Sequence, residues 1–448
     1  MIDVVMELTA IISVIDFIWL SFFLLTTVFF SLIFKGKWIS KQILLTFLLL
    51  KIAVGIAMSI DAVAINGDVV AYHFNGLVYA DLFRQFITGE SFDYIFTNPF
   101  FGIEGNSTFR MSSLTGFLLA ISGESFFFCA LVFSVCGGIG HLLLFRNFTL
   151  LFPQLKINNF YPILFHLSLV AWTSHLTKDS LGLLALGLIS FYIKSFLDNF
   201  RILDFLLIAL GIYISTLFRP FINLLAILYL FSVIWSKFFE PSVLQAKRLT
   251  VPALLYISTS LLITISCSLV FAQSEGEAMI EMQRKSIIDY SNLEGGSNFE
   301  NVELGVSFTG LLALPLGALN ALLRPFIWEA RTLLQSLAAL ENLVVLFFVI
   351  RGFFVYFSRT TKNNKLNLRF FLINMLAVVL VGGAGVGLYS SNAGTISRYR
   401  VPVIPFLLVI PCVIFGFRGL NFKVNAPLTR VPRPLILRGN RTPNSMIP

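Results

Sequence analysis

Apolar residues in this chain do not recur at helical or strand spacing. They come in unbroken runs of about 16 to 25 residues, separated by short polar stretches. A helix of about 20 apolar residues spans a bilayer core of roughly 30 Å. The pattern therefore predicts an all-α, polytopic integral membrane protein with about 11 transmembrane helices. The predicted spans are 10–34, 42–60, 124–145, 159–175, 179–195, 203–218, 221–236, 251–271, 336–357, 370–388 and 402–417. Several are near 16 residues, which calls for tilted, broken or re-entrant helices. The first run is too long for a signal-peptide core, and it follows Asp3 and Glu7 rather than basic residues.

The runs form one transmembrane domain over residues 1–417. Two long segments interrupt it. Segment 61–123 contains stretches suited to interfacial helices, Val78–Ile87 and Met111–Ile121. Segment 272–335 is acidic in its first half and apolar in its second, through Leu311–Leu323. Residues 418–448 form a basic tail rich in Pro and Arg, expected to be disordered and to hold anionic lipid.

Composition agrees with the pattern. Of 448 residues, 57% are hydrophobic and 12% charged, half the charge of a soluble domain. That excludes a soluble two-domain enzyme. Charge also orients the chain. With the loops near 35–41, 146–157, 194–202, 237–250, 359–369 and the tail placed inside, that side holds 20 Lys/Arg and three acids, Asp198, Glu240 and Asp204 at the inner end of the next span. The other side holds 10 Lys/Arg and 19 acids. The positive-inside rule then puts the N-terminus outside and the C-terminus in the cytoplasm. The membrane is the inner or plasma membrane.

Cys129, Cys136, Cys267 and Cys412 all lie in apolar runs without CxxC spacing and read as small core residues. His73, His141, His166 and His175 show no ligand spacing. No metal site or cofactor is read from the sequence, and nothing points to nucleic acid. Short inner loops without a phosphate-binding motif argue against a nucleotide substrate.

Charged groups at membrane depth are costly and mark function by default. Asp68 follows the second span, in Asn66-Gly-Asp-Val-Val-Ala-Tyr72-His73-Phe74. A carboxylate there can take a proton from a sugar hydroxyl, or it can simply be a helix cap. Lys178-Asp179 sits tightly between two spans, either as a phosphate-binding cation oriented by its neighbour or as a self-neutralising pair. Arg219-Pro220 forms the turn between spans six and seven. Arg324-Pro325 lies in the second long segment, and Arg398-Tyr399-Arg400 precedes the last span. Each single Arg can be a snorkelling anchor. Converging at one face with Lys178, they would form a pyrophosphate site, because guanidinium groups bind phosphate bidentately and stay charged when desolvated.

These residues resemble the GT-C superfamily of multi-spanning membrane glycosyltransferases, especially bacterial members of the family 39 and 83 type. The likeness lies in Gly67-Asp68-Val-Val-Ala-Tyr72-His73, the Pro162-initiated helix pair with Asp179 between its members, Arg219-Pro220, and Arg398-Tyr399-Arg400-Val-Pro402-Val-Ile-Pro405. It covers residues 42–417. The resemblance implies a GT-C-like fold with an outward-facing site and a polyprenyl-(pyro)phosphate sugar donor. It implies Asp68 as catalytic carboxylate, and Lys178, Arg219, Arg324, Arg398 and Arg400 as donor-phosphate ligands. Tyr72, His73, Asp179 and Tyr399 would support them. The partners would be the polyprenyl-linked sugar, a glycan or lipid acceptor, and membrane lipids. Two features depart from the family. One span precedes the usual first one, and a second acidic residue in the first loop has no counterpart, which leaves a divalent cation without a ligand motif. O-antigen and exopolysaccharide polymerases share the same hydropathy and outer arginines. A flippase or transporter would instead predict inverted repeats, and no internal repeat is present.

Overall fold

The computed structural model describes residues 13–34, 36, 38–64, 68–91, 107–238, 317–330, 333–359, 365–389 and 393–418. Among them there is no strand. The helices are α1 (Val14–Ile33), α2 (Lys41–Ala64), α3 (Asp68–Thr88), α4 (Ser107–Ser122), α5 (Phe126–Leu151), α6 (Tyr161–Leu164), α7 (Leu167–Trp172), α8 (Lys178–Asn199), α9 (Ile202–Phe218) and α10 (Phe221–Phe238). After them come α11 (Leu333–Arg359), α12 (Lys365–Tyr389), α13 (Ala393–Tyr399) and α14 (Ile404–Arg418).

Among the described residues, five helices are long and apolar enough to cross a membrane: α1, α2, α5, α8 and α11. α9, α12, α14 and the first part of α10 are apolar but shorter. Such lengths fit a helical membrane protein. The predicted span 251–271, most of segment 272–335 and the tail from residue 419 lie outside the described residues.

Exposure follows the same logic. α1 turns Phe17, Ile18, Leu25 and Phe29 outward, and α11 turns out Phe347, Phe354 and Phe357. Rows of exposed Phe and Leu are a liability in water and ordinary against lipid. Inside, Phe47, Phe145, Phe148, Leu183, Leu225, Tyr229 and Phe406 form the main core. A smaller core gathers Val69, Tyr72, Leu119, Phe126, Leu176 and Phe218 beneath the ends of α3, α4 and α8.

Local signals explain the joints. Asp16 closes a capping box with Ser13 on α1. Its other oxygen accepts from Ser125 Oγ at 2.5 Å and from the amide of Phe127 at 2.7 Å, so it also caps α5. That explains a fully buried carboxylate at the end of an otherwise apolar helix.

The predicted span 159–175 is not one helix. It is a 3₁₀ turn (Ile157–Phe160) followed by α6 and α7. Pro162 starts the first piece, and the amide of Leu169 donates to the His166 ring to start the second. The hydroxyls of Thr173 and Ser174 bond back to the carbonyls of Leu169 and Val170. Irregular backbone at membrane depth survives only when its polar groups are met inside the protein. Hydropathy averages over such a break, so the run read as a span.

Candidate functional site

Four separate segments bring charge to one place. α3 opens on Asp68, with Tyr72 one turn later on the same face. α8 opens on Lys178 and Asp179. Arg219 ends α9 at the turn into α10. Arg398 and Tyr399 close α13. Both carboxylates stand in the first turn of a helix, where unpaired amides and the helix dipole favour an anion.

Asp179 is the hub. Its side chain is 1% exposed and takes Arg219 Nη2 at 2.8 Å and Arg398 Nε at 3.2 Å. Arg398 turns its Nη1 to Asp68 Oδ2 at 2.8 Å. One guanidinium thus bridges carboxylates from α3 and α8. Asp68 itself is 56% exposed. Lys178 does not pair with its neighbour Asp179. Its Nζ donates to Ser107 Oγ at 3.0 Å and Thr108 Oγ1 at 2.9 Å, at the start of α4.

Aromatic rings wall the cluster. Arg219 stacks over Tyr399 at 4.5 Å, Lys178 lies 5.7 Å from the Tyr72 ring, and Arg398 lies 5.7 Å from the Trp172 ring. Rings hold cations in place without neutralising them. Three cations against two carboxylates leave the cluster with one net positive charge. Electrostatics follows. Partial burial pushes the Asp68 pKa up, but Arg398 first, then Lys178 and Arg219, outweigh it and hold the carboxyl below its ordinary value. Burial lowers the Arg398 pKa, yet Asp179 and Asp68 more than reverse this, and the guanidinium stays charged.

Asp68, Tyr72, Lys178, Asp179, Arg219, Arg398 and Tyr399 therefore meet in one cluster. Three predicted residues do not join them. His73 packs edge-on against Phe126 at 5.4 Å, and the charges that act on it are Asp16 and Glu124, on the far face of α3. Arg324 pairs with Glu329 at 3.3 Å. Arg400 donates Nη1 to the carbonyl of Arg324 at 3.0 Å and stands with it as a second centre.

Three site residues carried no signal in the sequence. Trp172 lies inside an apolar run, and Ser107 and Thr108 open a helix of mixed composition. Among the described residues, no group of three or more His, Cys, Asp or Glu side chains comes together to hold a metal ion. No family model, curated protein or solved structure matches the chain.

Proposed function

We propose that the chain is a membrane glycosyltransferase. It moves a sugar or oligosaccharide from a polyprenyl-(pyro)phosphate donor to an acceptor hydroxyl, in the assembly of cell-surface polysaccharide or glycolipid. The site faces the outer side of a bundle of about 11 spans, with the C-terminus in the cytoplasm. The observation that carries this reading is the bridge from Arg398 to Asp68 and Asp179, with Arg219 on the same Asp179 oxygen pair.

The arrangement suits a departing phosphate. Arg219 and Arg398 are fixed by a buried carboxylate and by rings, so they need no reorganisation as negative charge develops. Asp68 is exposed enough to yield its hold on Arg398 to a phosphate oxygen. Released, its carboxylate takes the proton of the acceptor hydroxyl. The hydroxyl oxygen bonds to the anomeric carbon, the bond from that carbon to the phosphate oxygen breaks, and the lipid phosphate leaves with the electron pair.

Repeat-unit polymerisation is the second reading within the same chemistry, and the Arg398–Asp68 contact at 2.8 Å bears on it. Where Arg398 keeps that hold through the reaction, the Asp68 carboxyl stays below its ordinary pKa and is a weak base. Catalysis then rests on the arginines more than on the carboxylate, as in a reaction driven by a good leaving group.

The test is transfer in detergent from a polyprenyl-pyrophosphate-oligosaccharide pool. Wild type is expected to consume the donor. Arg398→Lys and Arg219→Lys are expected to lose on the order of 10²-fold or more, because each removes a pre-organised donor. If Asp68→Asn falls equally, Asp68 acts as base. If it retains most activity, the polymerase reading gains, and product length decides. Donor bound but never consumed would remove the enzymatic reading.

A further inference from the structure

Arg400 has a buried guanidinium that the cluster above does not use. Its residue exposure is 2%. Nη1 donates to the carbonyl of Arg324. That carbonyl sits in a turn held by Asn342, whose amide donates to the carbonyls of Leu323 at 3.0 Å and Pro325 at 3.4 Å. Nε and Nη2 have no hydrogen-bond partner among the described residues. These two nitrogens form one edge of the planar guanidinium, with parallel N–H bonds that match two oxygens of one phosphate or carboxylate. The whole edge is thus left unmet in a buried position, where an unmet charged donor is costly.

The neighbouring carboxylate does not fill it. Glu341 acts on Arg400 electrostatically. Its oxygens go elsewhere, to the Ser168 amide at 3.1 and 3.2 Å and to the Ser168 hydroxyl. Ser168 lies in the first turn of α7. Arg398 lies by Trp172, at the other end of α7. Six helical residues span about 9 Å, so the two guanidiniums lie toward opposite ends of α7.

We propose that Arg400 is a second anion seat, separate from the Asp68–Asp179 cluster, which grips two oxygens of one phosphate group through Nε and Nη2. The choice of phosphate rests on the glycosyltransferase reading. The phosphate comes either from a second lipid-linked molecule or from free phosphate.

Full-length protein in detergent is titrated by calorimetry with a short-chain polyprenyl monophosphate and, separately, with inorganic phosphate. Wild type is expected to take two equivalents of the lipid phosphate. Arg400→Met is expected to keep one, with its affinity within about twofold, and Arg398→Met to keep the other. Arg400→Lys, which retains charge but not the two-pronged edge, should weaken its seat at least tenfold. A second equivalent of inorganic phosphate that depends on Arg400 identifies free phosphate as the source, and its absence identifies the lipid. One equivalent in wild type, or two in folded Arg400→Met, overturns the proposal. Should Arg400→Met not fold, unchanged affinity in Arg400→Lys overturns it alone. A single equivalent of polyprenyl pyrophosphate needing both Arg398 and Arg400 would also overturn it, since the two would then be halves of one site. Two equivalents bound without transfer would sink the enzymatic reading only, and one equivalent with transfer intact would sink the second seat only.

Discussion

Lys51 reaches across 122 positions of sequence to Thr173, with its Nζ 2.8 Å from the hydroxyl and 2.5 Å from the carbonyl. Thr173 caps the C-terminal end of α7, one residue after the tryptophan that walls Arg398. A donor at a helix C-terminus meets carbonyls that have no amide partner. Lys51 thus holds the strap 173–177 that leads into Lys178 and Asp179. Lys51→Met is expected to leave the carbonyl unmet, at a cost of about 1–3 kcal/mol. Hydrogen exchange should quicken at 173–177 and stay unchanged at α11. Unchanged protection of the strap would mean that Lys51 holds nothing there.

The two carboxylates of the cluster should differ sharply in what they contribute to stability. Asp179 is buried and serves two guanidiniums, so Asp179→Asn strands the buried Arg219 and leaves Arg398 with Asp68 alone, and breaking such a buried pair costs about 3–5 kcal/mol. Asp68 is half-exposed, and solvent screens its pair with Arg398, so Asp68→Asn should cost no more than about 1 kcal/mol. Thermal unfolding in one detergent compares them. Equal losses would mean that the Asp179 hub is not the anchor of the site.

The lowered pKa of Asp68 fixes the sign of a pH effect. A carboxyl whose pKa is depressed by folding adds stability above its unfolded pKa, near 4. That stability disappears as pH falls through the folded value. The melting-point gap between wild type and Asp68→Asn should be constant above about pH 5 and close only below about pH 4. A gap that closes between pH 6 and 8 would mean that Asp68 is not held by Arg398.

The charged parts of this site were readable because the bilayer makes them conspicuous. Lys178, Asp179 and Arg219 stand at tight turns between apolar runs, and few residue types explain a charge there. Their pairing was not readable. Lys178 next to Asp179 suggested mutual neutralisation, yet helical geometry points adjacent side chains about 100° apart, and each found partners elsewhere. Trp172 hid among apolar neighbours that hydropathy treats alike. The break at 159–175 had only Pro162 and the polar set Thr173, Ser174, His175 and Thr177 to announce it. Arg398 and Arg400 looked like one motif, but two positions apart at a helix end they leave in different directions.

The contact between α5 and α8 supports the site from below, and glycines set its closeness. A Cβ on Gly187 of α8 would stand 2.5 Å from the carbonyl oxygen of Gly140 on α5. Backbone cannot swing aside as a side chain can, so Gly187→Ala must push α8 away from α5 and shift Lys178 and Asp179 with it. Overpacking of this kind costs about 1–3 kcal/mol. Gly385 in α12 has nothing within 4 Å of the same position. There the methyl only restricts the unfolded chain, and alanine in a helix gains about 0.5–1 kcal/mol over glycine. One substitution should therefore lower the melting temperature at 187 and raise it at 385. A loss at both would mean that helix propensity and local room do not govern these positions. Neutrality at 187 would mean that α5 and α8 do not meet so closely.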